Sequence, residues 1–301
     1  VRSTSIQGCI EKSRRAARFE NAGRARIMAR TRARARARVN NAQEAEEHLG
    51  HQEPEPSTEH PCAGHAHGHG HENGALQPTE GTSVEYKTPL PRRIGLVADS
   101  HDRLDALATA VRILEERGAE ALVHLGDICD SLRPDLLEDS VRLLRKHRML
   151  VVKGNNDFML ENLLRCQPPE TKGLYDHLAA FLEDLPMRII WDGVCFAHSL
   201  PFDHLRSFYE PIDMGSTQRA EDIFRLTPHR ILFCGHSHRS VLFRLSGDKV
   251  SRENLPDDAQ PIALDRRERY IIVTGSVLER ECAIFDVDSW SVENIRIPLD
   301  E

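Results

Sequence analysis

The sequence contains no run of apolar residues that could cross a membrane. Its apolar stretches fall well short of the roughly 20 consecutive residues that a membrane-spanning helix requires. The N-terminal region also lacks an apolar segment of the kind found in secretory signals. We therefore expect a protein that does not span a membrane, and we assign it to the cytoplasm.

Paired cysteines are absent as well. The seven Cys are odd in number and form no Cys-X-X-Cys pair. Cys195, Cys234 and Cys282 lie in apolar runs, which favours reduced, buried side chains in a reducing compartment. Cys129 lies two residues after Asp127, but packing is the preferred interpretation for it too. This cysteine usage excludes a small disulfide-stabilised fold.

Charge is distributed unevenly along the chain. Residues 1–40 contain twelve Lys and Arg against two Glu, whereas the whole chain has a net charge of −7. Residues 41–91 are rich in Glu, Pro, Gly, His and Thr, a composition that buries too little apolar surface to offset the entropy of ordering. We predict a basic disordered tail over 1–40, a disordered acidic and His-rich linker over 41–91, and one folded domain over 92–299.

Two features of the first 91 residues could bind ligands. The Arg-rich tail could attract nucleic acid through counterion release, and it also has the composition of an organelle transit peptide. A reading frame extended upstream of the natural start, or a fragment, would explain the tail equally well. The alternating histidines over 65–71 can chelate a divalent ion but impose no fixed geometry, so we predict adventitious metal binding there.

From residue 92 the pattern changes to short apolar runs alternating with amphipathic stretches. It predicts strands over 94–98, 121–126 and 149–154, with a helix before each of the last two. These helices are expected over 104–117 and 134–147. Each strand runs into Gly or polar residues, so the strand ends are expected to lie together, at the edge where α/β sheets bind ligands.

The second half of the chain is richer in predicted strands. Short turns separate most of them, which favours an antiparallel or mixed sheet. These strands are expected over 187–191, 194–197, 231–234, 241–245, 270–274 and 282–287. Helical spacing returns over 172–183 and 216–226. We therefore predict an α/β fold of two packed mixed β-sheets flanked by helices.

Five predicted loops follow apolar strands and contain residue types that bind metal ions. These residues are Asp99, His101, Asp127, Asn155, His198, His236 and His238. Each loop alone is weak evidence, since Gly-Asp is a common turn and a single His after a strand usually has a structural role. Their order and their placement after successive strands together indicate a metal site.

The mixture of donors suits a pair of metal ions. Hydrolysis of a phosphate ester needs a hydroxide, neutralised phosphoryl oxygens and in-line geometry, and two cations about 3.5–4 Å apart supply all three. Two carboxylates combined with neutral imidazoles and an amide leave net positive charge for the phosphate. We expect two Mn²⁺ ions, although Fe²⁺, Zn²⁺ and Ni²⁺ suit the same ligands.

The ordered set Asp-X-His, Gly-Asp, Gly-Asn, His and Gly-His-X-His resembles the calcineurin-like metallophosphoesterase family over residues 92–299. The resemblance implies the four-layer fold of that family and implies that Asp127 bridges two metal ions. It assigns Asp99, His101 and His238 to one ion, and Asn155, His198 and His236 to the other. The short linkers between motifs make the small YfcE-like phosphodiesterases the most similar members.

One position departs from the family pattern. Many members have Gly-Asn-His followed by an acidic residue, and that His is thought to contact phosphate and protonate the leaving group. Here Asn156 occupies the position, so we expect Asp157, which follows it, to lack its usual partner. An amide can donate a hydrogen bond to a phosphoryl oxygen but has no proton to transfer near neutral pH. The resemblance therefore implies a preference for phosphodiesters and phosphoanhydrides over alkyl monoesters.

These features predict a dinuclear metal-dependent phosphoesterase in which a metal-bridging hydroxide attacks phosphorus directly. The predicted catalytic residues are Asp127, Asn155, Asn156 and His198. The expected substrate is a phosphorylated small molecule or a nucleotide. A phosphomonoesterase or protein phosphatase, and a non-catalytic scaffold of the same fold, remain alternatives.

An aromatic segment follows His198 in the sequence. Phe202, Phe208 and Tyr209 could border the metal site and stack on a base or aryl group. Anchoring of a hydrophobic loop and contact within a homodimer are equally compatible with these residues.

Overall fold

The computed structural model describes residues 83–130, 136–166, 173, 175–204, 206–255 and 260–298. The predicted tail over 1–40, and the predicted linker up to residue 82, lie outside these residues. Within the described part of the chain, no helix is long and apolar enough to cross a membrane.

The strands lie close to where the apolar runs place them. They are β1 (Ser83–Tyr86), β2 (Arg93–Val97), β3 (Ala121–His124), β4 (Leu150–Val151), β5 (Arg188–Trp191), β6 (Val194–Ala197), β7 (Ile231–Cys234), β8 (Val241–Ser246), β9 (Lys249–Asn254), β10 (Ile262–Ala263), β11 (Arg269–Val273), β12 (Glu281–Asp286) and β13 (Ser291–Arg296). The sequence pattern missed β1, β9, β10 and β13. Polar residues interrupt most of these strands, so they show no continuous apolar run.

Two mixed β-sheets form the centre of the domain, which confirms the predicted fold class. The seven-stranded sheet has the order β1-β5-β6-β7-β11-β8-β9, and the six-stranded sheet has the order β10-β13-β12-β2-β3-β4. The strands β2, β3 and β4 run parallel, as do β6, β7 and β11. Each sheet therefore brings the carboxyl ends of parallel strands to one edge, where the predicted metal-binding residues follow them.

The helices flank these sheets. They are α1 (Leu104–Glu116), α2 (Leu137–Lys146), α3 (Asn155–Arg165), α4 (Asp176–Glu183), α5 (Arg206–Tyr209) and α6 (Gln218–Leu226). In α1 the buried residues Leu107, Ala110, Val111 and Leu114 recur at helical spacing and pack toward β2 and β12. The sequence pattern missed α3, whose first residues were expected to form a loop.

Aromatic rings fill the space between the two sheets. Phe233 of the seven-stranded sheet lies with its ring centroid 5.2 Å from that of Phe285, which belongs to the six-stranded sheet. Phe196 stacks on the other side of Phe233 at 5.7 Å, and Trp290 packs edge-on against Phe285 at 5.2 Å. These rings hold the sheets face to face and keep their carboxyl edges together.

The folded domain begins before the predicted boundary at residue 92. Strand β1 pairs in parallel with β5, from Ser83 opposite Arg188 to Tyr86 opposite Trp191. The Trp191 indole also donates a hydrogen bond to the Thr88 carbonyl at 2.9 Å and packs its ring 4.9 Å from that of Tyr86. The predicted linker was therefore wrong at its C-terminal end, because these residues add an edge strand to the sheet.

Replacing Phe233 by Ala should lower the free energy of unfolding by about 3–5 kcal/mol, because the cavity would open between the sheets. Urea unfolding of the metal-free protein measures this change. The control is Leu226→Ala, since Leu226 is 63% exposed and should change stability by less than about 0.5 kcal/mol. Similar effects of the two variants would contradict the proposed inter-sheet core.

Candidate metal centre

Six of the seven predicted metal ligands converge in two groups at the carboxyl edge of the sheets. The first group is Asp99, His101 and His238, and the second is Asp127, His198 and His236. Within each group the potential ligand atoms lie within 4.8 Å of one another. The seventh residue, Asn155, joins the second group through its side-chain oxygen, which lies 3.0 Å from His198 Nε2.

The first group surrounds a buried carboxylate oxygen. Asp99 Oδ1 lies 3.5 Å from His238 Nε2 and 4.0 Å from His101 Nε2, and the two Nε2 atoms are 3.2 Å apart. The other oxygen, Oδ2, accepts a hydrogen bond from the His236 backbone N–H at 2.8 Å. Asp99 Oδ1 is buried and has no hydrogen-bond partner among the described residues. An orphaned carboxylate oxygen facing two imidazole nitrogens fits a cation.

In the second group, backbone carbonyls fix which histidine nitrogens carry protons. His198 Nδ1 lies 2.8 Å from the Leu125 carbonyl and His236 Nε2 lies 3.1 Å from the Tyr209 carbonyl, so each of these nitrogens must donate. The remaining nitrogens, His198 Nε2 and His236 Nδ1, face each other at 3.1 Å. Asn155 Oδ1 lies 3.0 Å from His198 Nε2. Two imidazole nitrogens and an amide oxygen that converge in this way suit a metal ion.

Asp127 lies between the two groups. Its Oδ2 atom is 3.8 Å from His101 Nε2 in the first group, and its Oδ1 atom is 3.6 Å from His198 Nε2 in the second. Asn156 donates to both oxygens, from its backbone N–H to Oδ1 at 2.8 Å and from its side-chain amide to Oδ2 at 2.6 Å. One carboxylate thus offers an oxygen to each group.

The backbone at these loops adopts a conformation that residues other than Gly rarely adopt. Asp99, His101, Asp127, His236 and His238 have φ angles of 51°, 42°, 55°, 73° and 56°. Left-handed backbone at such residues costs free energy and is found where the surrounding structure imposes it, often at functional sites. These residues lie in the loops after β2, β3 and β7, and their side chains meet at the common centre.

Glycines allow the loops to approach each other closely. A Cβ atom on Gly154 would lie 2.2 Å from Asp127 Oδ1 and 2.3 Å from the Asp127 backbone nitrogen. A Cβ on Gly235 would lie 2.6 Å from Asp99 Oδ2. Both contacts are far shorter than atoms tolerate, so the two carboxylates sit in backbone cradles that only glycine provides.

Burial and mutual repulsion strongly affect the charged groups of the site. Burial raises the pKa of Asp127, and the nearby Asp99 carboxylate adds to this shift although His198 opposes it. Burial and Asp127 likewise raise the pKa of Asp157 to about 6. Burial and His198 lower the pKa of His236 to about 4, so its imidazole is neutral at pH 7, as a metal ligand must be. Clustered buried carboxylates beside the neutral His236 imidazole fit a divalent cation.

A buried histidine supports the site from behind. The Gly126 N–H donates to His124 Nδ1 at 3.2 Å, which leaves the Nε2 proton to donate to Ser100 Oγ at 2.9 Å. The Ser100 hydroxyl in turn donates to the Ile128 carbonyl at 2.9 Å. This chain connects the loop after β2 to the loop after β3. Sequence reasoning favoured packing for His124, and its place at the end of an apolar strand gave no sign of these bonds.

Asp157 has a role that the sequence did not reveal. It was expected to lack a partner, because the residue before it is Asn156 and not His. Instead its carboxylate accepts hydrogen bonds from the backbone N–H groups of Asp127, Ile128 and Gly154 at 2.9, 3.0 and 2.9 Å. The side chain therefore joins the loop after β3 to the start of α3.

The aromatic segment after β6 packs against the site and covers it only in part. Phe208 is buried and stacks on Phe158 of α3 with ring centroids 5.1 Å apart, so its ring is not available to stack on a substrate. The anchoring interpretation holds for this residue. Tyr209 is partly exposed, and burial together with the Asp127 carboxylate raises the pKa of its phenol to about 12.

Comparison with known proteins agrees with this geometry. Residues 93–254 match the family model of the calcineurin-like phosphoesterase superfamily domain. The chain is similar to a metallophosphoesterase from Sphaerobacter thermophilus, with 24% identity and a TM-score of 0.55 over 70% of this chain and 90% of that one. It is also similar to a putative diadenosine tetraphosphatase, with 16% identity and a TM-score of 0.43 over 73% of this chain and all of that one. No curated protein sequence matches the chain.

Replacing Gly154 by Ala should abolish metal binding at these two groups, because the new methyl group would displace Asp127 from both of them. Elemental analysis after dialysis against Mn²⁺ measures the bound metal. Gly247→Ala is the control, since nothing lies within 4 Å of the added atom at that position. Full metal content in Gly154→Ala protein would contradict the close approach described for this loop.

The buried His124 should also make stability depend on pH. Burial lowers the pKa of His124 from 6.5 to about 3, so the unfolded state binds its proton first as the pH falls. Its contribution is therefore complete above pH 6.5 and is lost toward pH 3, at up to about 1.4 kcal/mol per pH unit. Urea unfolding at several pH values in this range gives the free energy of unfolding of the metal-free wild-type and His124→Gln proteins. The slope of this free energy against pH should be shallower in the variant, by the amount that corresponds to the uptake of about one proton. Equal slopes would mean that His124 is protonated in the folded state.

Proposed function

The chain belongs to the calcineurin-like phosphoesterase superfamily, and we propose that it hydrolyses phosphodiester or phosphoanhydride bonds with two divalent metal ions. The observation that carries this proposal is the position of Asp127, which offers one oxygen to each of two groups of nitrogen and oxygen donors. Metal-dependent hydrolysis is the chemistry of the superfamily. What we propose for this chain is the number of metal ions, the residues that bind each ion, and the type of bond that is cleaved.

The donor sets support two metal positions. Asp99, His101 and His238 would hold one ion, and Asn155, His198 and His236 would hold the other. Asp127 would bridge the two positions. Two divalent ions bound there would lower the pKa of a coordinated water molecule and neutralise the oxygens of a phosphoryl group.

The residues of the chain set up this site before a substrate arrives. The Leu125 and Tyr209 carbonyls hold His198 and His236 in the tautomers that present lone pairs to the centre. Asp99 is held by the His236 N–H, so the loops after β2 and β7 are fixed relative to each other. Such preorganisation reduces the rearrangement that the reaction requires.

The preference for good leaving groups follows from Asn156. Its side-chain amide donates to Asp127 Oδ2 at 2.6 Å, and an amide has no proton to transfer near neutral pH. Aryl and nucleoside phosphodiesters, and phosphoanhydrides, release groups that need little protonation. Alkyl monoesters release alkoxides that need a proton donor, so we propose that they are poor substrates.

Hydrolysis of bis-p-nitrophenyl phosphate and of p-nitrophenyl phosphate tests this proposal. Full-length protein that has been stripped with a chelator should be inactive, and added Mn²⁺ should restore activity that is higher on the diester. Asp127→Asn should lower kcat at least about a hundredfold, because losing a ligand costs no less than losing a partner that orients one. The control is Asp248→Asn, a change in an exposed turn that should leave kcat unaltered. Higher activity on the monoester would favour a phosphomonoesterase. No activity on either substrate, or on a nucleoside triphosphate as a phosphoanhydride, would favour a non-catalytic scaffold.

A further inference from the structure

The first turn of α3 contacts Asp127 more extensively than metal binding by Asn155 alone requires. Asn155 begins the helix and contributes its side-chain oxygen to the second group. The next two residues, Asn156 and Asp157, are directed at Asp127 itself. Three successive residues of one helical turn therefore serve a single buried site.

Asn156 holds the side chain of Asp127 by two hydrogen bonds. The backbone N–H binds Oδ1, the oxygen on the side of His198, and the side-chain amide binds Oδ2, the oxygen on the side of His101. Each oxygen thus receives one donor while keeping a lone pair for a metal ion. The carboxylate can rotate about its bonds only by losing one of these contacts.

Asp157 holds the backbone of the same residue. Its oxygens accept the N–H groups of Asp127 and Ile128, which lie on either side of the left-handed turn at Asp127, where φ is 55°. A third bond, to the Gly154 N–H, ties the carboxylate to its own helix start. These bonds offset the cost of the unusual backbone conformation.

We propose that Asn156 and Asp157 form a clamp that positions Asp127 between two metal ions, and that Asn156 does not act on the leaving group. The inference rests on the proposed function only in requiring metal ions at Asp127. It changes the role of Asn156 from a catalytic residue, as the sequence suggested, to a positioning residue.

Each of the two groups would bind Mn²⁺ in a step of its own, and the clamp predicts which step each variant weakens. Asn156→Ala removes the donor to Oδ2 but keeps the backbone donor to Oδ1, so the effect should fall on the first group. Loss of a partner that orients a ligand typically weakens metal affinity by about 10–100-fold. The step that Asn156→Ala weakens should therefore be the step that His101→Ala abolishes.

Titration calorimetry of the metal-free, full-length protein with Mn²⁺ measures both steps without relying on catalysis. Asn162→Ala is the matched control, because Asn162 lies in the same helix and donates its amide to the Phe158 carbonyl, away from the site. We expect wild-type Mn²⁺ affinity in the control and a 10–100-fold loss in one step for Asn156→Ala. Asp157→Asn should weaken Mn²⁺ binding as well. If the Asp157→Asn protein does not fold, the result for Asn156→Ala alone decides the proposal.

A second measurement separates positioning from an action on the substrate. The dependence of kcat on leaving-group pKa across a series of aryl phosphodiesters should have the same slope in wild-type and Asn156→Ala protein. An unchanged Mn²⁺ affinity in Asn156→Ala protein would overturn the clamp. A steeper dependence of kcat on leaving-group pKa in this variant would also overturn it, whatever the Mn²⁺ affinity. Weakened Mn²⁺ binding in a protein that hydrolyses none of these diesters would support the clamp while removing the proposed function.

Discussion

The burial of several carboxylates at one sheet edge is the constraint on which the rest of this structure depends. Asp99, Asp127 and Asp157 are almost completely inaccessible to solvent, and an isolated charge in such a place would be very unfavourable. Each carboxylate is therefore supplied with backbone N–H donors from a neighbouring loop or helix start. Because these donors come from loops far apart in the sequence, satisfying the charges also fixes the loops relative to one another.

The architecture serves this requirement at several levels. Parallel strands in both sheets bring their carboxyl ends to the edge, and the aromatic core keeps the two sheets facing each other. Glycines then permit the final approach, as Gly154 does against Asp127. The imidazoles of His198 and His236 are oriented by the backbone carbonyl groups of Leu125 and Tyr209. The two groups of potential metal ligands thus depend on the way this protein accommodates buried negative charge.

The sequence predicted the elements of the fold but not the contacts within the site. Apolar runs followed by Gly or polar residues marked the strand ends, so Asp99, Asp127 and His198 could be placed at one edge. The helix that begins at Asn155 was missed, since its first turn is stabilised by bonds to the loop after β3 and has little apolar periodicity. The roles of Asp157 and His124 could not be predicted for the same reason, because each contacts residues brought close only by folding, Asp127 and Ser100 respectively.

The stacking of Phe208 on Phe158 has a consequence for how such a protein can evolve. The segment after β6 borders the centre where a substrate would lie, while Phe158 belongs to the helix that begins at Asn155. The Tyr209 carbonyl ties the same segment to His236. Natural selection for a new substrate would act first on this border, yet changes there would disturb the residues that hold the metals. Diversification is therefore expected to retain the aromatic pair and to proceed through residues that contact neither partner.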